Sequence, residues 1–222
     1  MRPSVSVLQL DTQFPRVPGD VACRDTYNDE IEIIRIPGAS VRNIVTCRPG
    51  DIDIQLFEDA VKNAGGDVIV TSCGFLSFWQ KHLQSCTTRP FISSSLVALD
   101  RLSAVYAPQE LMILTFDATS LNEFHLGDHR RYAGATRGLS PQMHLRHVIS
   151  TGQSELKTDV ASDEMVDLVR KSRVQSHKHI LLECTNMPPY KQALKTEFEL
   201  PVSDILTEIE RIRPNTIARA FL

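Results

Sequence analysis

Apolar residues in this chain come in short runs of strand length, separated by longer segments in which apolar positions recur every three or four residues. The runs at residues 5–10, 31–36, 67–71, 91–93, 111–116, 147–150 and 179–183 are rich in Val, Ile and Leu and predict strands. Between them, "DIQLFEDAVKNAG" (residues 53–65) opens on an acid, spaces Leu56, Ala60 and Val61 helically and runs into Gly-Gly. "ASDEMVDLVRKSRVQ" (residues 161–175) has the same amphipathic period. Buried strands alternating with helices predict parallel βαβ units and an α/β fold.

The pattern occurs twice. "VSVLQLDT" (residues 5–12) resembles "LMILTFDAT" (residues 111–119), a strand that ends on an acid with threonine close behind. "VIVTSCGF" (residues 68–75) and "ILLECTNMPPY" (residues 180–190) are apolar runs that stop on a cysteine followed by small or polar residues. Asp11 and Asp117 are 106 residues apart, and Cys73 and Cys184 are 111 apart, so both pairs keep nearly one register. Two pseudo-symmetric lobes are expected, each a mostly parallel sheet flanked by helices. Residues 1–95 with 200–222 would form the first and 96–199 the second, because "ELPVSDIL" and "SDILTEIERI" can close back on the start of the chain. The reactive edge of such sheets lies at the carboxyl ends of the strands, where both cysteines fall, so Cys73 and Cys184 are expected to meet across one cleft.

Taken singly, a cysteine after a strand is most often a small buried hydrophobe. Two at matching positions, each followed by residues suited to a helix N-terminus, point instead to acidified thiols. Asp11 reads equally well as a turn acid or as a polar partner of the site, and Asp117 as a turn acid.

Composition narrows the chemistry. With 222 residues, 42% of them hydrophobic, the chain can bury a sizeable core. Its net charge of −3 is spread without basic clusters, which argues against nucleic-acid or membrane-surface partners and for a small molecule. The opening "MRPSVSVLQLD" has no long apolar core, and no stretch nears the ~18 apolar residues of a membrane span, so a cytoplasmic location is expected. The five cysteines form no CxxC pair and are expected to be reduced. His125 and His129 stand four apart, but "LNEFHLGDHRR" reads as a solvated surface, and no metal site is expected. Phe75, Phe78 and Trp79 read as core, with the first turn free to line a side-chain pocket. The polar stretch at residues 18–30 is a candidate substrate wall.

The pieces "VLQLDTQFPRVPGD", "VTSCGF", "LTFDAT" and "LECTNMPPY" resemble, in order and spacing, those of the aspartate/glutamate racemase superfamily, to which hydantoin racemases and maleate isomerases also belong. The Cys-Thr-x-x-Pro element is the most specific of them. The resemblance implies a cofactor-independent enzyme with Cys73 and Cys184 as paired acid and base. It also implies Asp11 as a polar partner, and Ser72, Gly74, Thr185 and Asn186 as carboxylate-binding neighbours. Glutamate racemases follow the first cysteine with asparagine and the second Cys-Thr with histidine; here Gly74 and Asn186 stand in those places, and asparagine does not titrate.

The chemistry expected is racemisation or epimerisation of an amino acid or related α-substituted carboxylic acid. One thiolate takes the α-proton and the opposite thiol supplies another, while backbone N–H groups stabilise the enediolate. Maleate isomerisation and arylmalonate decarboxylation share such a cleft and stand as alternatives. A two-lobed binding protein for small carboxylates is the non-enzymatic one, although it would have no evident use for matched thiols. The substrate side chain, the face each thiol serves and the formation of a homodimer are left open.

Overall fold

The computed structural model describes residues 2–222, which form two four-stranded sheets. The first holds β1 (Val5–Leu10), β2 (Ile31–Ile36), β3 (Val68–Thr71) and β4 (Phe91–Ile92) in the order β2-β1-β3-β4. The second holds β5 (Leu111–Thr115), β6 (Thr136–Gly138), β7 (His179–Leu182) and β8 (Val202–Ser203) in the order β6-β5-β7-β8. Every pairing is parallel, with Leu8 beside Thr71 in one sheet and Leu114 beside Leu182 in the other. The two halves thus repeat one topology, and each cysteine lies two residues beyond the third strand of its sheet.

Successive side chains of a strand face opposite ways, and β1 shows what that does here. Leu8 and Leu10 enter a large core that also contains Met112, Leu114, Ile180 and Leu182, so this core runs from one sheet to the other. Val5 and Val7 face a second, smaller core completed by Ile205, Leu206, Ile209 and Ile217. The C-terminal helix Ile205–Ile212 therefore covers the outer face of the first sheet, as the return of the chain requires. β8 still pairs with β7, and the chain passes from the second sheet to the outer face of the first at Asp204.

Two local expectations change. Residues 147–150 belong to the helix His144–Thr151, not a strand: Leu145, Val148 and Ile149 are buried at helical spacing, and the helix ends on Gly152 in the left-handed region at φ +66. In the helix Gln55–Asn63 the core face is Phe57, Ala60 and Val61, which leaves Leu56 exposed. β6 is three half-buried residues on a sheet edge, too short and polar to announce itself.

A buried ion pair fastens the crossing. Lys191, at the start of the helix Lys191–Phe198, meets Asp204 at 2.8 Å, off the direction of a good hydrogen bond, and both side chains are almost wholly buried. The other oxygen of Asp204 accepts from the Thr207 N–H and caps the C-terminal helix. Lys191→Met should lower unfolding stability by about 3–5 kcal/mol by stranding a buried carboxylate, and adding Asp204→Asn, which keeps a capping oxygen, should restore much of it. Equal losses for the single and double variants in guanidinium denaturation would show that the pair matters little.

Candidate active site

The carboxyl edges of both sheets open on one cleft of about 370 Å³, counting its mouth. Leu10, Thr12, Phe14 and Arg16 line it from beyond β1, residues 72–75 from beyond β3, Phe116 from beyond β5, and residues 183–186 from beyond β7. Cys73 and Cys184 both face this cleft, as their matched positions predicted, and both are buried.

The loop after β3 is braced on both sides. The Ser72 hydroxyl accepts from the Leu10 N–H at 3.0 Å, and Thr71 donates its hydroxyl to the Ser93 carbonyl at 2.6 Å. Cys73 is extended and leads into a turn of 3-10 helix at Gly74–Trp79. Across the cleft, the Thr185 hydroxyl donates to the Ser72 carbonyl at 2.7 Å and ties one cysteine loop to the other. Its proton is therefore committed and is not offered to a ligand. Asn186 donates to Asp20 at 2.6 Å, and its side-chain oxygen receives the Cys184 thiol at 3.7 Å. Of the predicted site residues, Ser72, Cys73, Gly74, Cys184, Thr185 and Asn186 come together.

Asp11 stands apart. Its exposed carboxylate pairs with Arg35 at 2.7 Å and accepts from the Gly38 N–H, contacts that hold it below the usual carboxylate range. Thr12, its neighbour, faces the cleft instead. The cation of the site is Arg16, from a segment whose arginine carried no periodic or motif signal. Arg16 lies over the Phe14 ring at 4.2 Å, pairs with Asp20 at 3.2 Å and donates to the Thr12 hydroxyl at 3.0 Å. Its Nε is buried without a partner.

Glu183 also escaped the sequence reading, because as the last residue of an apolar run it looked like a strand end. It is fully buried at the cleft and accepts from the Thr115 hydroxyl at 2.7 Å. Gly74 is what makes room for it. A Cβ at residue 74 would overlap the Glu183 carboxylate and come within 2.7 Å of its carbonyl oxygen.

Electrostatics follow from this burial. Desolvation pushes the Glu183 carboxyl up to about 7, against the pull of the Thr115 hydroxyl. Burial and then the Glu183 charge push the Cys73 thiol up to about 12, while the Phe75 N–H and Arg16 act to lower it. The Cys184 thiol is raised by burial and by Glu183, Cys73 and Asp20, with the Asn186 N–H alone opposing them. Both thiols rest protonated at neutral pH, and Cys73 has the cation beside it.

The histidines lie outside this cleft. His125, expected on a solvated surface, is buried against Phe75 at 5.1 Å between ring centres, with Nδ1 turned to the Asn122 cap. His129 pairs with Asp100 at 2.7 Å. Among the described residues, the donor atoms of Glu58, His82 and Cys86 come within 4.8 Å of one another, away from the cleft lining.

Two parallel sheets of one strand order, each sending a thiol to a shared cleft, define a two-lobed α/β class with two cysteines on one cleft. A model of the Asp/Glu/Hydantoin racemase family matches residues 30–209, a span that contains both cysteines, and the chain belongs to that family. It is 27% identical over 227 residues to a dimethylsulfoniopropionate lyase of Durusdinium sp. clade D, covering 93% of this chain and 73% of that one. It is 28% identical to a dimethylsulfoniopropionate lyase of Emiliania huxleyi over 92% of this chain and 57% of the relative, so it spans little more than half of that protein. Allantoin racemase from Pseudomonas fluorescens superposes with a TM-score of 0.60 at 13% identity, over 94% of this chain and 88% of that one, a likeness of fold.

Two outcomes are expected of the buried pair. Gly74→Ala should cost about 1–3 kcal/mol in thermal or urea unfolding, and Gly74→Ala with Glu183→Ala should recover only part of it, since the side-chain overlap goes but the Glu183 carbonyl oxygen stays within 2.7 Å of the added Cβ. The folded chain holds the Glu183 proton more tightly than the unfolded chain, so the stability this group contributes is complete below its ordinary 4.5 and lost as pH rises through about 7. Glu183→Gln should flatten that part of the stability curve; an unchanged fall between about pH 4.5 and pH 7 would assign it to other groups.

Proposed function

We propose that the chain removes the α-proton of a small carboxylate with Cys73 and expels a leaving group from the β-carbon, acting as a lyase on substrates of the sulfoniopropionate class. The observation that carries this reading is the pair of thiols on one apolar cleft with Arg16 as its cation. Arg16 would hold the substrate carboxylate, with its partnerless Nε as a free donor. Phe14, Phe75 and Phe116 line the cleft, and aromatic surface suits a sulfonium, a soft cation with no hydrogen to donate. The similarity to lyases over nearly the whole of this chain supports the same class.

The step balances without a further reactant. The Cys73 thiolate takes the α-proton, the C–H electron pair becomes the Cα–Cβ double bond, and the Cβ–S bond breaks toward sulfur. The products are an unsaturated carboxylate and a neutral sulfide. Charge that develops on the substrate carboxylate in between is met by Arg16 and the N–H groups of the two loops. Glu183 opposes both thiolates, but Arg16 favours that of Cys73, whereas Cys184 faces Cys73 and Asp20 as well and has no cation to offset them, so Cys73 is the better base.

A second reading, inversion of the α-carbon, is favoured by the presence of Cys184 on the same cleft, since elimination alone needs one base. The two readings separate on single variants. For the lyase, Cys73→Ser should cut dimethyl sulfide release from dimethylsulfoniopropionate by about 10²–10⁴-fold, and Cys184→Ser by less than about tenfold. For inversion, both variants should abolish racemisation of α-substituted acids, followed by polarimetry and by α-proton loss in deuterium oxide. Wild-type sulfide release from Cys73→Ser would sink the assignment of the base.

A further inference from the structure

A thiol that rests protonated must pass its proton to something before it can act as a base. Of the residues that line the cleft, four ionise: Cys73, Cys184, Arg16 and Glu183. A guanidinium holds its protons at any working pH, so Glu183 is the one lining group besides the thiols that can accept a proton. Its carboxylate is placed for that. Oε2 is taken by Thr115, while Oε1 is fully buried with no partner at all, on the side where Gly74 lets the Cys73 loop press against it. A buried carboxylate oxygen without a donor is costly and calls for a proton or a donor in some state of the enzyme.

The other groups around it do not compete for the role. Cys184 is its chain neighbour, and no cation acts to favour its thiolate. Behind Cys184, Asp20 is engaged by Arg16 and Asn186, and burial raises the Tyr190 phenol well above its ordinary range. No histidine lines the cleft.

We propose that Glu183 holds the proton given up by Cys73, so that the cleft carries the same number of protons at rest and when armed. The S–H bond of Cys73 breaks, an O–H bond forms on Glu183, and a thiolate stands beside a neutral carboxylic acid. The transfer assists itself, because protonating Glu183 removes a negative charge that had opposed ionisation of both thiols. Gly74 and Glu183 act as one unit: the glycine admits the acid, and the acid serves the adjacent thiol. This rests on the reading of Cys73 as the base.

An internal acceptor has a signature that a structural carboxylate lacks. Once Glu183 is ionised at rest, arming moves a proton within the cleft and takes none from water, so the armed fraction stops rising with pH. The experiment is iodoacetamide alkylation of the Cys184→Ser protein without substrate, read at Cys73 by peptide mass spectrometry across pH 6 to 9. The rate should climb about tenfold per pH unit up to a bend near 7 and stay level above it. With Glu183→Gln the bend should vanish, giving a rise of about 100-fold from pH 7 to pH 9. Thr115→Val keeps the acid but removes the bond that lowers its pKa, so the bend should move to higher pH. A bend that persists in Glu183→Gln or stays in place in Thr115→Val would overturn the proposal, as would its absence from the parent. Because no substrate is present, a bend that follows Glu183 in a protein releasing no sulfide would uphold the proton acceptor while rejecting the lyase. Sulfide release with no bend would reject the acceptor alone.

Discussion

The hydrogen bond from the Thr185 hydroxyl to the Ser72 carbonyl joins the two loops on which the site is built. Each sheet delivers its cysteine two residues past its third strand, but nothing in a single sheet fixes the distance to the other. The Thr185 contact does so, and the bonds from Ser95 to the Leu182 carbonyl and from Ser77 to the His125 carbonyl hold the same boundary elsewhere. All are bonds to main-chain carbonyls, which move only with their loops. The two loops are thereby held together by short, buried or half-buried hydroxyl side chains bonded to main-chain carbonyls.

Burial then sets the chemistry. Closing the cleft removes water from two thiols and a carboxylate at once, and desolvation favours the neutral form of all three. A site of this kind is quiet at rest. On the mechanism we propose, its reactivity comes from a counter-charge and from redistribution of protons already inside. Arg16 supplies the first, held by Asp20, Thr12 and the ring of Phe14. A carboxylate substrate entering beside Arg16 would bring an opposing charge, so ligand binding and thiol ionisation are linked through one guanidinium.

Much of this was legible in the sequence, and the omissions have physical reasons. Parallel strands buried on both faces print as largely apolar runs, which is why β1, β3, β5 and β7 could be read almost to the residue; β2, a half-buried edge strand, was read from its isoleucines. The doubled Cys signal survived because a repeat preserves register even where composition drifts. Residues 147–150 misled because Val148 and Ile149 are β-branched neighbours, and a window of four cannot tell period two from period 3.6. Asp11 was read from its place after β1, but position along a strand does not say which way the following side chain turns; Arg35 from β2 draws it to the surface. Arg16 and Glu183 were invisible for opposite reasons. The first sits in an irregular segment with no period at all, and the second hides in a strand pattern whose last position happens to face the cleft.

The return of residues 205–217 to the first sheet bears on how the chain comes to be made. Val5 and Val7 share a core with Ile205 and Ile209, which are made about 200 positions later. At synthesis rates of about 5–20 residues per second, the outer face of the first sheet waits on the order of ten seconds or more for its lid. During that interval an apolar surface on the nascent chain is open to other chains. Of the two sheets, the first is therefore begun earlier and covered later, and its outer face is the surface a chaperone would have to shield in between.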